Sequence, residues 1–387
     1  MITVCDKSMC NGCMACIEKC QMNAITIEKN PVAYNAVIDE SKCVSCKTCF
    51  TVCPRNQKEI LFKRPLRWYQ GWADSDIREN SSSGGAATAI LSAFVKNDGY
   101  VCSCLFRNGQ FVFELSNRVA TVKKFAGSKY VKSNPEGIYG KIQHILKDGK
   151  RVLFLGLPCQ VAGVKNFVSV DLQKNLYTVD LICHGTPDQK ILNKYLADHN
   201  IEVKAIEDIT FRKKDDFRIR SDYKSIVIPN VLDSYLYTFL RRINYTENCY
   251  SCQFAKIERI SDLTLGDSWG STLDEGEQKK GISLFLLQTD KGKELVDMAG
   301  LTLFDVDQEK AIKNNAQLNA PAERPTERKK FLKLYEEGVN YDVIAFKLAP
   351  KIFVRQKIKE ILIKAHIISG VDNTYAIAIK SVSGSQK

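Results

Sequence analysis

Eight cysteines near the start fall into two runs of one spacing: Cys10, Cys13, Cys16, Cys20 and Cys43, Cys46, Cys49, Cys53. Each run reads C-x-x-C-x-x-C-x-x-x-C. Short loops with cysteine at every third position can aim three thiolates at one centre, and the fourth thiolate comes from the other run. The spacing predicts two 4Fe–4S clusters. One is held by Cys10, Cys13, Cys16 and Cys53, the other by Cys43, Cys46, Cys49 and Cys20. Tetrahedral zinc also uses paired C-x-x-C motifs, but it leaves cysteines unemployed in each run. Disulfides are the other alternative. Iron–sulfur clusters of this kind carry single electrons, so the remaining residues are read for what those electrons reach.

Residues 1–62 resemble a two-cluster bacterial ferredoxin. Pro54 follows the second run as in such proteins, whereas Gln21 follows the first. Between the runs, Ala24–Glu28 and Ala36–Asp39 read as short paired strands beneath the clusters.

The chain's 387 residues suffice for two or three domains. No apolar run reaches the length of a membrane span, and the N-terminus lacks the plan of a signal peptide. Fifteen cysteines without an export signal fit a reducing interior, so the expected location is the cytoplasm. The net charge is +12, and from Arg324 to Lys364 eleven Lys/Arg face five Asp/Glu. Half the excess thus lies in this stretch. A solvated helical face explains it, and docking of an acidic electron carrier is the second reading. No helix-turn-helix pattern, aromatic–basic RNA motif or zinc finger supports contact with nucleic acid.

The expected fold class is α+β: a ferredoxin-like domain, then a mixed α/β flavin-binding region, then a helical C-terminal tail. Phe62–Trp72 reads as a basic, proline-containing connector. Ser81-Ser82-Ser83-Gly84-Gly85 precedes a helical run, Ala86–Lys96. Tyr100–Phe106 and Gln110–Leu115 are strand-like and split by Asn108-Gly109, a hairpin signal. Arg151–Gly156 and Leu176–Cys183 read as strands, followed by helical patterns at Cys159–Phe167 and Pro187–His199. This alternation predicts a parallel or mixed sheet covered by helices. Further strands are expected at Asp208–Arg212, Ser225–Pro229, Asp262–Leu265 and Ser283–Gln288. In the tail, Val354, Ile358, Ile361 and Leu362 share one helical face.

Three more cysteine-bearing loops stand out: Gly156–Gln160 with Cys159, Cys183-His184-Gly185, and Cys249-Tyr250-Ser251-Cys252. The first two follow strands, where ligands of open α/β sheets collect. Cys159, Cys183, Cys249 and Cys252 could hold a third 4Fe–4S cluster, with buried structural cysteine as the alternative. Cys5, Cys102 and Cys104 remain, and the latter two alternate on a strand as packing residues would. The Ser81–Gly85 stretch suits a pyrophosphate at a helix start, or simply a serine cap. It is neither a Walker loop nor G-x-G-x-x-G. A flavin would convert one-electron into two-electron chemistry.

GLPCQVAG (Gly156–Gly163), VDLICHGTP (Val179–Pro187), CYSCQFA (Cys249–Ala255) and LTLGDSWG (Leu263–Gly270) resemble blocks of the coenzyme F-420 hydrogenase/dehydrogenase beta-subunit family. SSSGGAATA (Ser81–Ala89) and GSKYVKS (Gly127–Ser133) resemble blocks of its N-terminal part. The resemblance divides the chain into 1–62, the ferredoxin-type domain; 66–150, with the flavin phosphate loop; 151–310, with the third cluster; and 311–387, a basic helical tail.

The resemblance implies FAD, with Ser82, Ser83, Gly84 and Gly85 along its phosphates. It also implies a cluster on Cys159, Cys183, Cys249 and Cys252. Lys129 is expected to contact flavin or substrate, Asp267 to orient the flavin ring or a ligand loop, and His184 to bond cluster sulfur or move a proton. Structural roles compete for each: surface lysine, turn aspartate, satisfied histidine. The expected function is an iron–sulfur flavoprotein oxidoreductase linking a carrier, ferredoxin or F-420, to a small-molecule substrate. A non-catalytic wiring subunit for a partner enzyme is the alternative. A redox sensor bound to nucleic acid through the tail is a third.

Overall fold

The computed structural model describes residues 2–57, 61–224 and 226–368. The N-terminal part is built twice on one plan. In each cysteine run the residues flanking the second cysteine take left-handed backbone: Gly12 and Met14 in the first, Ser45 and Lys47 in the second. Short helices follow, Ala15–Lys19 and Thr48–Val52, each ending at an extended cysteine, Cys20 or Cys53. Strands β1 (Ile2–Thr3), β2 (Ile25–Lys29) and β3 (Tyr34–Ile38) form an antiparallel sheet of order β1-β3-β2. The paired strands expected between the runs are therefore present.

The main sheet comprises β4 (Arg67–Trp72), β5 (Tyr100–Arg107), β6 (Gln110–Ser116), β7 (Val152–Gly156) and β8 (Leu176–Leu181). A small hairpin, β9 (Ile209–Lys213) with β10 (Asp216–Ser221), lies apart, and β11 (Leu263–Asp267), β12 (Ser283–Leu287) and β13 (Thr302–Asp305) complete the main sheet. Its order is β13-β4-β12-β11-β8-β7-β5-β6. The four central strands, β5, β7, β8 and β11, run parallel, and the flanking pairs are antiparallel. Val152, Leu153, Phe154 and Val179 are fully buried, as a strand covered on both faces requires. Asn108 and Gly109 both take positive φ at the β5–β6 turn, the geometry their sequence signals.

Some expectations need correction. Arg67–Trp72 is no connector: it is β4, paired between β12 and β13. Ile226–Pro229 forms bends rather than a strand, and Ser225 lies outside the described residues. Residues 311–364 do not hang as a tail. Phe331, Leu334, Tyr341 and Ile344 join a core with Tyr195, Phe211 and Tyr235. The last described helix, Pro350–Lys364, turns its shared apolar face to solvent, with Ile358 51% and Ile361 64% exposed. Its inward face carries Gln356 and Lys359, which bond Leu232 N and Asn230 O. Period alone shows which side chains share a face, not which face meets protein.

The ferredoxin-like part shares one core with the helices Tyr139–Lys147 and Pro158–Phe167. Glu18 accepts from Ile138 N and Gly140 N, capping the former helix from outside. Gly163 faces Cys13: a Cβ there would lie 3.2 Å from Cys13 Cβ and 3.0 Å from the Tyr139 hydroxyl. The glycine is a close-approach residue.

Candidate redox site

Cys10, Cys13, Cys16 and Cys53 line one small cavity. That is the cross-run set expected from spacing, and Cys5 lines the same cavity. Backbone N–H groups point at sulfur in both runs: Gly12 N to Cys10 Sγ and Ser45 N to Cys43 Sγ, each 3.4 Å. The left-handed turns create these bonds, and hydrogen bonds to sulfur tune cluster potential. In the second set, burial raises the Cys49 thiol first, and Cys20 and Cys46 add to the shift through their own charge. Cys46 is exposed, with Val44 and Phe50 exposed in the same segment. Among the described residues no three or more His, Cys, Asp or Glu groups converge on a single-ion site. The thiols ring a volume instead.

Cys159, Cys183, Cys249 and Cys252 line a second cavity, of about 630 Å³ when its opening to solvent is counted. Cys159 sits at the start of the helix after β7, and Cys183 lies two residues beyond β8. The C-x-x-C comes from a short turn at Glu247–Ser251. Burial pushes the Cys159 thiol up to about 12 and raises the Cys183 thiol strongly as well. Half-buried thiols gathered round one cavity are costly as bare thiolates, which is the condition that a bound metal relieves. A buried ion pair ties two of these loops together. Arg259, beyond the C-x-x-C, donates to Asp180 Oδ1 at 3.1 Å and to the carbonyls of Leu181, Phe254 and Lys256.

A third, larger cavity of about 1630 Å³, counting its open mouth, lies at the carboxyl ends of the parallel strands. Ser82, Ser83, Gly85, Lys129, His184 and Asp267 all line it. Gly84 does not: a Cβ there would come within 2.6 Å of Gly71 O and Ser283 N, so it lies behind the wall. Ser82 and Ser83 hydroxyls already donate to Arg212 O and Ile282 O. The helix Ala86–Lys96 begins at Gly85, φ 85°, with no side-chain cap. Its first N–H groups therefore lack a side-chain acceptor.

The three residues singled out for chemistry are more tied than expected. Lys129 Nζ donates to the carbonyls of Phe125, Ala126 and Gly127, all at 2.9 Å, closing the end of the helix Val119–Phe125. Asp267 accepts a bidentate pair from Arg212, at 2.6 and 3.1 Å. Burial holds His184 down to about 4, so its ring is neutral at ordinary pH.

Sequence reasoning passed over Arg212 and Trp269, which line the large cavity with the Arg212 guanidinium 5.2 Å from the Trp269 ring. Trp269 belongs to the GDSWG block; Arg212 carries no motif. Cys104, read as packing, also lines this cavity. The cavities share walls. Asn11 borders both the first and second, and Leu157, Gln160, Cys183, His184, Gly185 and Thr186 border both the second and third.

Residues 149–306 match the family model for the C terminus of the coenzyme F420 hydrogenase/dehydrogenase beta subunit. Residues 9–57 match the 4Fe-4S dicluster domain model. The chain is therefore an iron–sulfur electron-transfer protein related to the beta subunit of these enzymes. A chain of the F420-reducing NiFe hydrogenase complex from Methanosarcina barkeri is similar at 17% identity and a TM-score of 0.48. The match covers 72% of this chain and 95% of that one. No curated protein matches. Among the described residues no helix is long and apolar enough to cross a membrane.

Proposed function

We propose that this chain is a flavin-dependent iron–sulfur oxidoreductase, exchanging electrons between a carrier and a small-molecule substrate. The carrier is a redox protein or the deazaflavin coenzyme F-420. The observation that carries the reading is the row of three cavities with common walls, two of them bordered by four or more cysteines. Cys159, Cys183, Cys249 and Cys252 would hold the third 4Fe–4S cluster. Ser82, Ser83 and Gly85, with the uncapped helix start, fit the anionic pyrophosphate of FAD.

A flavin seated there supplies the change between one-electron and two-electron chemistry. The chain's own residues shape its surroundings. Lys129 fixes the loop opposite the serines through its carbonyl bonds. Asp267 holds the Arg212 guanidinium at the cavity wall. His184, neutral and bordering both the second and third cavities, would take or give a proton at its ring nitrogens.

Iron, sulfide and flavin counted on one anaerobic sample test the reading. Three clusters' worth of iron with one flavin per chain is expected. Replacing Cys249 and Cys252 by serine should remove one cluster's worth and leave the N-terminal pair. Full cluster content without flavin would instead favour a wiring subunit whose substrate chemistry lies on another polypeptide.

A further inference from the structure

The wall between the first two cavities holds a buried cation with no acidic partner. Lys132, 7% exposed, lies where the ferredoxin-like part meets the rest of the chain. Its Nζ donates to Asn11 O and to Asn248 Oδ1, each at 3.3 Å. Asn11 follows Cys10 and Asn248 precedes Cys249, so the ammonium sits between one cysteine of each set. The Tyr34 ring centroid is 5.1 Å away. Among the described residues no carboxylate pairs with Lys132.

A charge taken out of water is costly unless something of opposite sign lies near. Two neutral acceptors at long hydrogen-bond distance and one ring do not supply that. The sulfur-rich cavities on either side do, once thiolates and iron occupy them. The same wall contains an unmet donor: Asn11 Nδ2 is buried without an acceptor, and Asn11 borders both cavities. A cation without an anionic partner and an unmet donor between two cysteine-lined volumes fit anionic neighbours on both sides.

We propose that Lys132 is a positioning charge shared by two clusters. It sets the potentials of the cluster on Cys10, Cys13, Cys16 and Cys53 and of the cluster on Cys159, Cys183, Cys249 and Cys252 together. A cation favours the more negative, reduced form of each, and so raises both potentials. A shift shared by both clusters moves the pair as a unit and leaves the step between them little changed. The proposal rests on the third cluster described above.

The test is a potentiometric titration of anaerobically purified full-length protein, followed by electron paramagnetic resonance. Wild type, K132M, K132Q and K132R are compared, with C249S/C252S identifying the third cluster's signal by difference. Both neutral variants are expected to lower two potentials by at least about tenfold in the reduced-to-oxidised ratio, or about 59 mV for one electron. The cluster on Cys43, Cys46, Cys49 and Cys20 should stay unshifted, and K132R should stay near wild type. Unchanged potentials in the neutral variants, equal shifts of all three clusters, or a K132R shift as large as that of K132M would overturn the proposal. If the neutral variants fail to keep the two clusters, retention by K132R supports the role of charge, and loss in all three variants overturns it. Wild-type protein with only two clusters defeats the underlying third-cluster reading instead, and the iron count shows that before any variant is titrated.

Discussion

Replacing Arg259 by methionine removes the cation of a fully enclosed pair while nearly keeping its bulk. Arg259 and Asp180 have side chains 2% and 0% exposed, and the carboxyl of Asp180 is already pushed up by burial, with Arg259 opposing. Without the guanidinium, Asp180 stays buried and unpaired, and the carbonyls of Leu181, Phe254 and Lys256 lose donors. Breaking a buried pair from one side costs about 3–5 kcal/mol. At roughly 2 °C per kcal/mol, the low end for large domains, that lowers the unfolding midpoint by at least about 6 °C. The bonds tie the segment after Cys252 to the strand end before Cys183, so iron at the second cavity should fall as well. Scanning calorimetry and iron counts on R259M, D180N and the double variant measure both effects. The double variant removes the stranded charge and should recover at least about half of the loss, since neutral replacement of both partners is often nearly free. An R259M midpoint within about 2 °C of wild type, or a double variant no better than R259M, would refute the reasoning.

Gly163→Ala places a methyl 3.2 Å from Cys13 Cβ; overpacking of about 1–3 kcal/mol should disturb the cluster signal of the Cys10 set and leave that of the Cys43 set. Asp233, fully enclosed, is raised by burial to about 6 although it accepts from Leu236 N and Ile219 N. The folded state then binds more protons than the unfolded state between about pH 4 and 6, so this group's contribution falls as pH rises through that window. Its full cost above pH 6 is about 3 kcal/mol, and D233N should flatten the slope of the unfolding midpoint between pH 4 and 6. Lys129→Met should destabilise the chain by about 1–3 kcal/mol through the loss of a helix-end cation, and flavin content should fall with it as the loop at the cavity wall loosens. Flavin content unchanged from wild type would refute the positioning role of this ammonium.

The chemistry legible in the sequence is the chemistry that spacing encodes. The two cysteine runs fixed which thiols could share a centre, because three ligands lie within seven residues of chain and the fourth follows from the repeat. The Cys159 and Cys183 loops were legible as well, since apolar strands announce themselves and ligands gather at their ends. Arg67–Trp72 escaped because Lys63-Arg64-Pro65 and its mixed composition look like a linker, and its partners β12 and β13 are more than 200 residues away. Arg212 escaped for the same reason: its meaning comes from Asp267 across the cavity, not from its neighbours in sequence.

By itself the sequence determined the two cysteine runs of the ferredoxin-like part, the hairpin at Asn108-Gly109 and the strand–helix alternation. These depend on contacts within a few residues or on a simple repeat. Tertiary structure alone decided that Lys132 lies between two cysteine cavities, that Gly84 stands behind the wall while Gly85 lines it, and that the last helix turns Ile358 and Ile361 outward. Those outcomes depend on which distant surfaces meet, and burial, charge compensation and steric fit between them leave no periodic trace in the chain.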